Sequence, residues 1–322
     1  ERILRGLNPG QAKHCGLEIL SGRHLPESWK GSLIAGDFRA NRVNRFELEE
    51  QGSGYASKQV EDLLWSDNVT FRPVDMSMGP DGAIYVADWY NEIIQHGEKD
   101  FHDPRRDQEH GRIWRITAKD RPLVDDPNLS KASIYELLEA LKLTEDWSRS
   151  HAKQLLKEKG ASEVLPELKR WIKKLDQKNP DYEHYLLEAL WVYQSFDVVN
   201  EELLVKLVNS KNHNARAAGI RALQFWHDDV TNVTELLSKT IDDEHPQVRL
   251  ESVIALRKIG TAEAARLALS VLEYQMDEFQ DFALWQIIRE LEPFIMERLK
   301  SDQKFLGSTE KTVFALTSMS DP

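Results

Sequence analysis

Between residues 86 and 117 the chain reads VADWYNEIIQHGEKDFHDPRRDQEHGRIWRIT, and few other stretches of it hold so much reactive side-chain chemistry. The imidazoles of His96, His102 and His110, with Asp103 or Asp107, offer nitrogen and oxygen donors for a transition metal, although their spacing matches no helical H-E-x-x-H pattern. Asp88, Asn91, Asp103 and Asp107 offer the oxygen donors that a hard cation takes. A histidine such as His96 or His110 beside Arg106 or Arg112 would be a general base next to a group that stabilises developing negative charge. The same residues can also pair with one another and pin the loop, with the Asp88 carboxylate capping the turn that follows it.

These groups need elements to hold them. Residues 89–110 interrupt two strand-like runs, and loops this long within a compact domain usually carry function or bind a partner. Strands are expected at GLEIL (16–20), SLIAGDF (32–38), RVNRFEL (42–48) and KQVEDLLW (58–65), then at PVDMSM (73–78), AIYVAD (83–88) and RIWRIT (112–117). GPDG (79–82) is a turn in which Pro80 sets φ and Gly82 accepts a positive φ. The two sets echo each other. Asp37 and Asp88 each end a strand, and Asn41 and Asn91 follow closely. Repeated strand units of this kind point to a partial β-propeller of about two blades over residues 1–120. Two blades cannot close a ring and would leave a raw sheet edge, so further blades are expected upstream of Glu1.

From about residue 133 the apolar period becomes helical. Ala189-Leu190, Ala222-Leu223 and Ala255-Leu256 recur every 33 residues, and NARAAGIRAL (214–223) parallels QVRLESVIAL (247–256), with Arg216 matching Arg249. RSHAKQLLKEKG (149–160) parallels RLESVIALRKIG (249–260). Such helix pairs resemble HEAT repeats, in which stacking buries faces that no single pair can bury, and an α-solenoid over 133–305 follows. Trp171, Trp191, Trp226 and Trp285 are expected to pack in its core. Residues 121–132 read as a linker, and 306–322 as a tail or a truncated repeat.

The net charge of −12 argues against a nucleic-acid partner. The lone Cys15, expected as a small buried residue, excludes an internal disulfide, a zinc knuckle and a C-x-x-C-H haem attachment. No apolar run approaches the ~18 residues of a membrane span. No Gly-rich dinucleotide fingerprint and no G-x-S-x-G elbow is present.

The stretch FRPVDMSMGPDGAIYVADWYNEIIQHGEKDFHDPRRDQEHGRIWRIT (71–117) resembles a bacterial family named for membrane-bound dehydrogenases, and residues 14–48 resemble its preceding blade more loosely. In that family a propeller similar to those of quinoprotein glucose and sorbosone dehydrogenases is followed by HEAT-like helices and often by a c-type cytochrome domain. The pattern falls on Asp88, Trp89, Tyr90, Asn91, His96, Asp103, Pro104, Arg106, Asp107, His110, Gly111 and Arg112, whereas His102 stands where the family has Arg. The resemblance implies oxidation of a sugar or other alcohol on a quinone (PQQ) with Ca²⁺. Electrons would pass to a cytochrome c, with haem on a segment outside this chain, in a periplasmic or otherwise extracytoplasmic, membrane-associated setting. His96 or His110 would take the hydroxyl proton, and Arg106 or Arg112 would steady cofactor or alkoxide. Trp89, Tyr90 and Asn91 would contact the cofactor, and Asp88, Asp103 and Asp107 would hold the metal. Two other classes stand beside it: a non-catalytic binding or scaffold module for protein or polysaccharide, and a Ca²⁺-dependent, lactonase-like hydrolase using the same three aspartates.

Overall fold

The computed structural model describes residues 13–95 and 97–319. They divide into two compact units, one drawn from the described residues within 13–49 and 56–159 and the other from residues 50–55 and 160–319. A β region followed by a helical region, as the change of period predicts, is what forms.

The first unit is built on two antiparallel sheets. β1 (His14–Ile19), β2 (Leu33–Asp37), β3 (Arg42–Gln51) and β4 (Gly54–Gln59) form a meander, with the short β5 (Leu64–Trp65) pairing to β3. β6 (Pro73–Met78), β7 (Ile84–Asp88) and β8 (Arg112–Ile116) form the second sheet in chain order. Ile84 and Val86 alternate inward along β7 and meet Ile34, Val43, Phe71 and Met76 in one core shared by both sheets. The GPDG turn forms with Gly82 at φ 76°, a left-handed conformation that a side chain would strain.

The run 58–65 is not one strand. It holds the end of β4, a break, and β5. β3 instead runs on to Gln51 and turns back through Gly52, at φ 60°, into β4. The polar string EEQGSGYAS hides this hairpin from an apolar-period reading. Cys15 is half-buried rather than enclosed, and its thiol donates to the Pro73 carbonyl at 3.1 Å. Residues 121–132 form no strand or α-helix but lie pinned to the first unit. Arg121 donates to the carbonyls of His24 and Arg23 at 2.7 and 3.0 Å, and the Val124 N–H donates to Asp81 O at 2.9 Å. α1 (Ile134–Ala140) and α2 (Asp146–Lys159) complete this unit.

The second unit contains α3 (Ala161–Lys174), α4 (Tyr182–Ser195), α5 (Glu201–Val208), α6 (His213–Trp226), α7 (Val233–Thr240), α8 (Pro246–Ile259), α9 (Ala262–Ala268), α10 (Glu278–Glu290), α11 (Glu292–Ser301) and α12 (Thr309–Ser318). Side-chain caps start many of the helices: Asn200 for α5, Asn212 for α6, His245 for α8, Thr261 for α9 and Asp277 for α10. Each repeated Ala-Leu pair is buried at the helix seams. Trp171 and Trp226 are buried as expected, while Trp191 and Trp285 are only half-buried. α12 occupies the expected tail.

The repeat carries a recurring bond. Arg216 Nη1 donates to the carbonyls of Ser210 and Lys211 at 3.0 and 3.1 Å, and Arg249 Nη1 to those of Asp243 and Glu244 at 2.7 and 3.1 Å. In the first unit, Arg149 Nη1 reaches the carbonyls of Leu143 and Thr144 at 2.6 and 2.8 Å. In each case the arginine ties the helix it stands on to the carbonyls five and six residues before it, which no backbone N–H of that helix can reach.

Residues 50–55, at the tip of the β3–β4 hairpin, pack with the second unit. Ser53 Oγ donates to Asp277 Oδ1 at 2.8 Å, and a Cβ placed on Gly54 would lie 2.6 Å from the Phe279 ring.

Candidate functional site

Asp88 ends β7 and is buried. Its Oδ1 accepts the backbone N–H groups of Arg72 and Tyr90 at 2.7 and 2.9 Å, and its Oδ2 accepts Arg112 Nε and Trp114 Nε1, both at 2.9 Å. Four donors occupy a group with about four acceptor positions. Asp88 therefore acts as a pin between strands and has no oxygen position left for a cation.

Arg112 faces Asp88 across the β7–β8 pair, and its guanidinium lies 3.9 Å from the Tyr90 ring centroid. Its Nη2 also donates to Thr70 Oγ1 at 3.1 Å. Tyr90 adopts φ 53°, which turns the chain out of the sheet. Asn91 is buried. Its amide nitrogen donates to the Asp107 carbonyl at 3.0 Å, and its Oδ1 accepts the Ile93 N–H at 3.1 Å, so the two ends of the loop are tied together.

Arg72 is a functional-looking residue that reading the sequence missed. It is buried, and burial holds its guanidinium below the usual value, partly offset by the charges of Asp88 and Glu92. Its nitrogens donate to the carbonyls of Asn91 at 2.8 Å, Glu92 at 3.0 Å and Phe38 at 2.9 Å. It thereby joins the β2–β3 turn to the root of the long loop. A single arginine before a strand carries no spacing signal for this role.

Further out, the charged groups pair locally. Asp103 accepts from Arg105 Nε and Nη2 at 3.0 and 2.8 Å, and this partner, with the Arg105 backbone N–H, holds its carboxyl well below the usual range. Asp107 accepts the N–H groups of Glu109 and His110 at 3.0 and 2.9 Å and His110 Nδ1 at 3.0 Å. The Glu109 N–H is the leading cause that keeps its carboxyl low. Arg106 donates to the carbonyls of Asp100, Gln95 and Lys99 at 3.0, 2.9 and 3.1 Å, with Phe101 under its guanidinium.

One open hollow of about 550 Å³ gathers part of this set. Trp89 and Phe101 supply apolar walls, 42% and 64% exposed, while His102, Arg106, Asp107 and His110 supply polar ones, with Asn91 at its base among the lining residues. Asp88, Tyr90, Asp103 and Arg112 do not line it. His96 lies outside the described residues. The three aspartates expected to hold a metal are not brought together. Among the described residues, the trio of His, Cys, Asp or Glu ligand atoms within 4.8 Å of one another is Glu50, His213 and His245, elsewhere in the chain. The loop's donor set therefore does not fit a Ca²⁺ cradle, because each of its carboxylates is committed to arginine, histidine or backbone N–H partners.

Against known proteins, residues 9–120 match the model of DUF7133, a domain of unknown function, and residues 200–280 match the model of HEAT repeats. The class is thus a DUF7133 domain followed by HEAT repeats, and neither model names a dehydrogenase. No curated protein matches the chain. Among the described residues no helix is long and apolar enough to cross a membrane.

Proposed function

We propose that this chain is a binding module whose 89–111 loop receives a polyhydroxylated ligand, a sugar or the end of a polysaccharide, and whose HEAT-repeat region offers a protein-binding surface. The observation that carries this reading is the hollow itself. Two exposed aromatic faces, Trp89 and Phe101, stand beside the polar groups of His102 and of the hydrogen-bonded pair Asp107 and His110. The apolar C–H faces of a sugar stack on such rings, and its hydroxyls are oriented by a few placed donors and acceptors. Titration calorimetry with a panel of neutral oligosaccharides tests it. Saturable binding, weakened at least tenfold by Trp89→Ala (about 1.4 kcal/mol or more), is the expected result. No binding across the panel, or equal binding by the variant, rejects it.

A specific arrangement favours a second reading, the alcohol oxidation implied by the family resemblance. Asp107 holds His110 Nδ1 at 3.0 Å, which leaves Nε2 to accept a hydroxyl proton, while Arg106 stands on the same hollow. A bound quinone would supply the hydride acceptor, and an extracytoplasmic setting with a cytochrome c partner belongs to this reading. Reduction of an artificial acceptor dye by the protein supplied with quinone and sugar, lost in His110→Ala, would favour oxidation over binding alone.

A further inference from the structure

We propose that Glu50, His213 and His245 form a site for a divalent transition-metal ion of the zinc class, with a further position open to water. Glu50 lies near the end of β3, His213 opens α6, and His245 is the N-cap of α8. All three fall in the second compact unit. His213 Nε2 lies 3.3 and 3.2 Å from the two Glu50 oxygens, and His245 Nε2 lies 4.0 Å from Glu50 Oε2. Around a tetrahedral ion with bonds of about 2.0–2.1 Å, neighbouring ligand atoms stand roughly 3.3 Å apart. The His213–Glu50 spacing already meets this, and the His245–Glu50 spacing meets it by a shift of under about 1 Å.

The alternative, hydrogen bonding without metal, explains only part of the geometry. It accounts for His213 and Glu50 but leaves His245 Nε2 beyond hydrogen-bond reach of that carboxylate. The two rings stack at 3.6 Å with 17° between their planes, so an ion must splay them as it binds. His245 Nδ1 accepts the Gln247 N–H at a long 3.3 Å. Ligation through Nε2 places a proton on Nδ1 and gives up that weak cap. Two imidazoles and one carboxylate suit zinc rather than the all-oxygen shells of Ca²⁺ or Mg²⁺. Glu50 is exposed and both histidines are half-buried, so an ion and a water can reach the site. Asn214 Nδ2, 3.5 Å from Glu50 Oε1, would help orient the carboxylate. An ion held here would clip the hairpin tip to the first turns of two successive repeat helices.

The full chain, stripped with a chelator, is titrated with Zn²⁺ by calorimetry and with Co²⁺ by visible absorption. About one ion per chain is expected, together with intense cobalt d–d bands of a low-coordinate site. His245→Asn keeps a side-chain helix cap, and Glu50→Gln keeps the side-chain shape. Each should lose at least tenfold in Zn²⁺ affinity, with unchanged far-UV circular dichroism. His110→Ala should bind Zn²⁺ like the wild type. No saturable Zn²⁺ binding by the wild type, or binding that survives both site variants, overturns the proposal.

Discussion

Arg112 stands to Asp88 as Arg42 stands to Asp37. In each sheet the aspartate that ends one strand is paired in register with the arginine that begins the next, at 2.9 Å for Arg112 Nε to Asp88 Oδ2 and 3.3 Å for Arg42 Nε to Asp37 Oδ2. The turn between them is four residues, 38–41, in one sheet and the long loop 89–111 in the other. The charged loop is therefore an elaborated strand connection, and its root is closed by the same ion pair that closes the short turn.

If that pair is structural, Asp88→Asn should destabilise the protein by about 3 kcal/mol. The amide would present only one acceptor atom to four donors and would leave Arg112 without its anionic partner. Urea unfolding followed by tryptophan fluorescence measures this, and a loss under about 1 kcal/mol would show that the loop root is held by other contacts.

Arg72→Lys keeps the charge but not the fork that reaches carbonyls on both sides. A loss of about 2 kcal/mol is expected. Hydrogen exchange should quicken at both the 38–41 turn and the root of the loop near residues 91–93. Quickening confined to one of them would mean that Arg72 does not couple the two.

Glu145 is buried and accepts Arg23 Nε and Nη2 at 2.9 and 3.1 Å. Burial pushes its carboxyl up, but the bonds from the Arg23 side chain and backbone outweigh it and hold the group below its ordinary 4.5. A carboxyl depressed in the folded state contributes stability above its unfolded value and loses it as pH falls through the folded one. The stability gap between wild type and Glu145→Gln should be widest near neutral pH and shrink as the pH falls below the ordinary 4.5. A gap that is flat across that range would refute the assignment.

In the repeat region, Arg216 Nε and Nη2 form a two-pronged pair with Asp243 at 2.7 and 2.8 Å, largely shielded from water. A double-mutant cycle with Arg216→Ala and Asp243→Ala should give a coupling energy of about 1–3 kcal/mol. Additive losses would instead assign the stabilisation to the bonds Arg216 makes with the carbonyls of Ser210 and Lys211.

The β-to-helix change, the echo of Asp37 in Asp88 and the Arg149, Arg216 and Arg249 correspondence were legible because each repeats, and repetition survives without coordinates. The partnering of the loop was not. Asp88 is saturated by a backbone N–H at residue 72 and an indole at residue 114, and neither is marked by spacing. The hollow was legible as a loop rich in histidine, but which carboxylates stay available depends on local turns at Asp103 and Asp107 that take up their own N–H groups. Glu50, His213 and His245 were invisible for a simpler reason: a hairpin concealed in a polar string brings together residues far apart in the chain.

The bond from Ser53 to Asp277 joins residues 224 positions apart. During synthesis the six-residue tip must wait, undocked, until the residues around Asp277, 224 positions further on, have left the ribosome. Severing the polypeptide near residue 160 to express the later part by itself would strand Asp277 and Phe279 without the segment that covers them, so the natural cutting point in sequence is the wrong one in space.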